Sequence, residues 1–188
     1  GHVPVVHENP DVGIHPLRGR QVGQRMLQLM PWSELRLRTP QDLIADVIQL
    51  AGKTLDIGRT KAQVGVPQLY ALQPASVLRS RLVTIKIPNP DGKSKPVTEE
   101  AFTTCVRNQL DRLEVSHEVI VTIPPKHRQE GEQPQKRTLR IKQRQIIGYE
   151  VLLEGLSAEE SITIQEQGLG GRRSMGCGLF APVTSGGL

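Results

Sequence analysis

From Leu82 to Val183 the apolar residues switch repeatedly between a spacing of two and a spacing of three to four, and the order of those switches leaves few folds open. "LVTIKIP" (82–88) alternates and is β-branched, the pattern of a half-buried strand. "NPDGKSKP" (89–96) is a turn. "TEEAFTTCVRNQLDRLEV" (98–115) places Phe102, Val106, Leu110 and Leu113 at helical spacing behind Thr98 as N-cap, with acids in the first turn. "EVIVTIP" (118–124) is a second strand, the polar stretch 125–135 a long loop, and "KRTLRIKQRQIIGYEVLLEG" (136–155) a third strand expected to bend at Gly148. Ser157 and Glu160 form a capping box that opens a second helix. After a glycine-rich loop, "CGLFAPV" (177–183) closes as a fourth strand. The order is β-α-β-β-α-β, the ferredoxin-like unit that RNA-recognition domains also use.

The first part reads as a less complete copy. "RMLQLM" (25–30) and "SELRLR" (33–38) alternate around Pro31-Trp32 and predict a hairpin. "TPQDLIADVIQLAG" (39–52) predicts a helix, with Thr39 as N-cap, Pro40 in the first turn and Gly52 as its stop. Residues 53–67 read as one or two strands. The opening strand and helix of a full copy would precede this, and residues 1–20 are too short and proline-rich to supply both. The expectation is an α+β protein of two tandem ferredoxin-like domains, an incomplete one over 1–75 and a complete one over 80–188, joined near Gln73 to Ser80.

Composition narrows the partners. The chain has 188 residues, with 24 Lys+Arg against 19 Asp+Glu for a net charge of +5, which favours a polyanion. Only 3% of residues are aromatic, so base stacking is a minor theme and contacts to the nucleic-acid backbone a larger one. Cys105 and Cys177 stand far apart with no CxxC or Cys/His cluster, so neither a zinc site, another metal site nor a disulfide scaffold is expected. No stretch approaches the roughly 18 apolar residues of a membrane span, and no signal peptide is expected, so the expected setting is cytoplasmic.

Three regions carry candidate chemistry. "GLGGRRSMGCGLF" (168–180) has glycines at 168, 170, 171, 176 and 178. Glycine loses more entropy on folding than any other residue, so such a loop is wanted for its shape. It lacks the preceding strand of a dinucleotide fingerprint and the Lys-Ser/Thr of a phosphate loop. Exposed amides at Gly168, Gly170, Gly171, Gly176 and Gly178, together with Arg172 and Arg173, would suit phosphates. The plainer alternative is a basic glycine-rich turn. In the predicted third strand, Arg140, Lys142 and Arg144 share one face and span roughly 13 Å, the scale of a few backbone phosphates. A solvated outer face explains that stripe equally well, but Lys126, His127, Arg128, Lys136 and Arg137 beside it tilt the balance to nucleic acid. His7 and His15, followed by Arg18 and Arg20, offer a general acid or base next to a cation. Each histidine taken alone is more often structural.

Gly168, Gly170, Gly176 and Gly178 match the signature G-x-G-x5-G-x-G of the CRISPR-associated repeat endoribonucleases, RAMP-superfamily enzymes that cut precursor CRISPR RNA within its repeats. "HENPDVGIHPLRG", "SELRLRTP", "LAGKTLDIG" and "LVTIK" resemble the Myxan-type branch, and the resemblance runs from about His7 to Val183. It implies tandem ferredoxin-like domains that recognise a repeat, commonly a stem-loop, and cleave at its 3′ side without a metal or cofactor. The upstream 2′-hydroxyl attacks the neighbouring phosphate, leaving a 2′,3′-cyclic phosphate and a 5′-hydroxyl. His7 matches the histidine that commonly follows the family's first helix, His15 is its nearest rival, and Arg18 or Arg20 supplies the cation. The resemblance further implies that the product stays bound as a Cascade subunit beside the backbone subunits, with no small-molecule substrate and no membrane. A non-catalytic guide-RNA-binding subunit of a Cascade or CRISPR-transposon complex is the alternative reading. An unrelated RNA-recognition module fits the scarce aromatics and the glycine loop poorly.

Overall fold

The computed structural model describes residues 9, 11–23, 26–57, 60–85, 98–124, 136–141 and 144–183, which group into two compact units. One unit comprises Gly1–Ala71 with Arg173–Gly176. The other comprises Leu72–Arg172 with Cys177–Leu188.

The first unit is built from two-stranded ladders. β1 (Gly13–Ile14) pairs antiparallel with β4 (Leu37–Arg38), and β2 (Arg20–Gly23) pairs with β3 (Met26–Gln28). The expected hairpin of 25–30 with 33–38 is therefore not formed. Its turn does close, since the Ser33 amide donates to the Met30 carbonyl at 2.8 Å, but the two arms diverge to different partners. Alternation identifies a strand and its faces, not the strand beside it. A 3-10 turn (Gln41–Leu43) leads into α1 (Ile44–Ile48), much shorter than 39–52. Pro40 occupies the N-cap, and the Thr39 hydroxyl donates to the Pro40 carbonyl instead of capping, so the first turn has no side-chain acceptor. Gly52 ends the segment at φ +71°, and β5 (Thr54–Ile57) pairs with β6 (Thr60–Gln63).

The second unit carries the main core. β7 (Val77–Val83), α2 (Glu99–Arg112), β8 (Ile120–Thr122), β9 (Lys136–Ile141), β10 (Arg144–Glu154), α3 (Ala158–Gln167) and β11 (Ala181–Pro182) follow in order. The sheet runs β11-β7-β10-β8, all antiparallel, the strand order of a ferredoxin-like unit. Thr98 caps α2 by accepting from the Ala101 amide, and Ser157 and Glu160 complete the expected capping box on α3. The Glu160 carboxylate also accepts from the Ser116 amide at 2.7 Å, and its pKa is lowered chiefly by that bond and then by the Ser157 amide. Phe102, Val106 and Leu110 of α2 and Ile164 of α3 pack on Leu78, Val83, Tyr149, Val151 and Leu153 of one sheet face. The Phe102 and Tyr149 rings lie 4.7 Å apart. Each such side chain taken from water contributes about 1.5–3 kcal/mol.

Two strand expectations are corrected. The predicted strand 82–88 begins earlier, at Val77, and residues 86–97 lie outside the described residues, as does the predicted loop 125–135. The predicted single strand 136–155 is an antiparallel hairpin, β9 and β10, with Arg140 opposite Gln145 and Lys136 opposite Tyr149. β8 and β9 pair in succession along the same edge of β10, opposite residues 152–154 and 144–149. Together they make the unit's second strand, written in two pieces. Gly148 does not bend a strand by itself. A Cβ there would lie 2.2 Å from the Val83 carbonyl, so glycine permits the close approach of β10 to β7 beside a bulge.

Candidate nucleic-acid interface and active site

His15 follows β1, and the register that pairs Gly13 with Arg38 and Ile14 with Leu37 sets it opposite Arg36. The bond from the His15 amide to the Arg36 carbonyl, 2.9 Å, extends that ladder by one step. Side chains two apart share a face, so Arg36 and Arg38 both stand on the side of His15. Arg38 is anchored by donating to the Asp11 carbonyl at 2.8 Å, while Arg36 pairs with Glu34 at 2.8 Å with both side chains exposed. The 3-10 turn Arg173–Met175 packs on β1 and brings a further arginine to this strand; its Nε is buried with no hydrogen-bond partner among the described residues.

These surroundings hold the imidazole neutral. Burial first, then Arg36, Arg38 and Arg18, lowers the His15 pKa from 6.5 to about 4. Between those values the unfolded chain takes up a proton that the folded chain refuses, so stability rises with pH. We expect the first unit to lose up to about 3 kcal/mol as pH falls from 6.5 to 4, less at high salt because Arg18 and Arg36 are exposed. Denaturant titrations at pH 7 and pH 4.5, compared between wild type and His15→Ala, check this. The variant should lose the histidine's share of the pH dependence.

The glycine loop holds the largest correction. The amides of all five glycines are already used inside the protein. Gly168 donates to Ile164, Gly171 to Thr84, Gly176 to Arg173 and Gly178 to Leu82, all at backbone carbonyls. The Gly170 amide donates to Gln109 Oε1 of α2 at 2.7 Å. Gly168, Gly170, Gly176 and Gly178 all have positive φ. What the backbone approaches closely is the protein itself: a Cβ on Gly170 would lie 2.4 Å from the Thr84 carbonyl, and one on Gly178 1.9 Å from the Leu169 carbonyl. The glycine amides therefore do not form the expected phosphate cradle. Arg172, exposed at φ +65°, and Arg173, half-buried, remain as its cations.

The cationic stripe is also redrawn. Arg140 lies on β9 and Arg144 opens β10 opposite Ile141, so three cations in line on one strand are not formed. His7, Lys126, His127, Arg128 and Lys142 lie outside the described residues. Lys136 and Arg140 are exposed on β9. Arg137, on the sheet face away from the helices, pairs with Glu150 of β10, which also receives Arg79 of β7. Arg36, Arg38 and Arg79 escaped the sequence reading. The alternation in "SELRLR" does set Arg36 and Arg38 on one face, but only the pairing with β1 brings them to His15.

The fold is that of a ferredoxin-like α+β protein, with one histidine set among arginines, and known proteins share the architecture. The product of a Cas6-related gene from Pyrococcus furiosus superposes with a TM-score of 0.56 at 13% identity, over 97% of this chain and 82% of that one. A RAMP protein described as binding different RNA substrates gives 0.58 at 12% identity, over 97% and 84%. The family model described as Cas6 Crispr matches residues 1–185. The chain is 35% identical over 181 residues to the CRISPR-associated endonuclease Cas6 of Myxococcus xanthus (strain DK1622), covering 96% of this chain and 70% of that protein. The chain belongs to the Cas6 family.

Proposed function

We propose that this chain is an endoribonuclease that cleaves CRISPR repeat RNA by attack of a 2′-hydroxyl, with no metal in the chemical step, and then retains the product's 3′ stem-loop as a Cascade subunit. The observation that carries the reading is His15 set beside Arg36, Arg38 and Arg18. A neutral imidazole accepts the proton of the 2′-hydroxyl as that oxygen bonds to the adjacent phosphorus. The bond from phosphorus to the 5′-oxygen then breaks, the imidazolium returns its proton to that oxygen, and a 2′,3′-cyclic phosphate and a 5′-hydroxyl result. The arginines offset the charge that builds on the pentacoordinate phosphate. A docked phosphate also offsets the arginines, which raises the basicity of His15 when substrate is present. His7 is the second candidate for the proton carrier.

One observation favours the other reading, a non-catalytic crRNA-binding subunit: an imidazole held at about 4 is a weak base until an anion arrives. Incubation in EDTA with a labelled repeat RNA, and with the same RNA carrying a 2′-deoxy nucleotide before the cut, separates the two. Cleavage of the first RNA alone is the expected result. Tight binding of both without cleavage would establish the binding subunit.

A further inference from the structure

Glu150 is 4% exposed, on the sheet face turned away from the helices, and it holds two arginines. A buried carboxylate is costly, and apolar residues in place of such triads often stabilise a fold, so stability alone does not explain this one. Its geometry suggests another use. Each carboxylate oxygen takes a single guanidinium nitrogen: Arg79 Nε donates to Oε1 at 2.5 Å, and Arg137 Nη2 donates to Oε2. The Nε of Arg137 is buried with no hydrogen-bond partner among the described residues. The side chains of Arg79 and Arg137 remain 39% and 26% exposed.

We infer that Arg79 and Arg137, oriented by Glu150, form a subsite for phosphodiester groups of the RNA backbone, a conclusion that rests on the RNA reading above. The triad carries one net positive charge. It gathers two partly exposed guanidinium groups from β7 and β9 across β10, in a partly desolvated place where a planar fork grips a phosphate strongly. Glu150 is a positioning residue here. It fixes where the two forks point and does not itself touch the ligand.

The test measures the affinity of the full chain for a repeat RNA made uncleavable by a 2′-deoxy nucleotide, across a series of salt concentrations. Wild type, Arg79→Gln, Arg137→Gln and Glu150→Gln are compared, each with its thermal unfolding recorded. Each arginine variant should bind roughly tenfold more weakly, the value of one charge-assisted contact. The slope of log affinity against log salt should fall by about 0.7 per lost contact to single-stranded RNA. Glu150→Gln adds positive charge, so net charge alone would tighten binding, whereas loss of orientation weakens it. Weaker binding is expected. Unchanged affinity and slope in both arginine variants would overturn the subsite while leaving the RNA reading intact, and tighter binding by Glu150→Gln would overturn the positioning role. Absence of RNA binding by the wild type would overturn the RNA reading, and the subsite with it. If Glu150→Gln does not fold, the two arginine variants decide the matter.

Discussion

His15→Ala is expected to slow cleavage of repeat RNA by about 10²–10⁴-fold, the range for losing a general acid–base group, with its affinity for that RNA near the wild-type value. The division between rate and affinity follows from the ladder. The His15 amide, not its ring, holds Arg36 in register, so alanine keeps the strand pairing and the arginines in place. Arg36→Ala and Arg38→Ala should differ in kind, weakening binding as well as turnover, because a cation that offsets phosphate charge acts in both states. Single-turnover kinetics on the three variants, beside His7→Ala, assigns the proton carrier. Full activity of His15→Ala with loss of activity in His7→Ala would move the role to His7.

Gly178→Ala is expected to destabilise the second unit by about 3 kcal/mol or more and to lower its thermal midpoint by roughly 6–12 °C. Two costs combine. At φ +68° an alanine is strained by about 1–2 kcal/mol, and its Cβ would stand 1.9 Å from the Leu169 carbonyl. That carbonyl has little room to yield, because the Leu169 amide donates to Gly178 and the Gly178 amide donates to Leu82 at 2.7 Å. Gly171→Ala is the matched control, since nothing lies within 4 Å of its added Cβ and its φ is not positive. Differential scanning calorimetry on the pair should show a loss in Gly178→Ala alone. An equal loss in both would mean that the loop needs flexibility as such and not these particular close approaches.

Local signals in the sequence served well in the second unit, where one residue pair decided each helix start, and failed at Thr39, where Pro40 takes the N-cap. Thr98, and Ser157 with Glu160, mark helix starts because a side-chain oxygen meets an amide three residues on. The order of strands and helices in the second unit was legible for a similar reason, as each element declares its own period. Partners were not legible. The sequence between Ile141 and Arg144 has neither glycine nor proline to announce that β9 ends and β10 begins there, and the visible Gly148 drew the expected bend away. The glycine loop misled in a more instructive way. Composition says that a backbone must come close to something, but only the fold shows that it is the loop's own neighbours. Arg36 and Arg38 reach His15 through a pairing made more than twenty residues away in sequence, which no spacing rule anticipates.

The division of one strand into β8 and β9 has a consequence for insertions. Because each piece is aligned by its own bonds to β10, the register of the sheet does not depend on how much chain separates them. Lengthening a connection costs little, about 0.6 kcal/mol for each doubling. A gap of this kind acts as a socket: sequence added or removed between Thr122 and Lys136 leaves the pairing of β8 and β9 with β10 as it is.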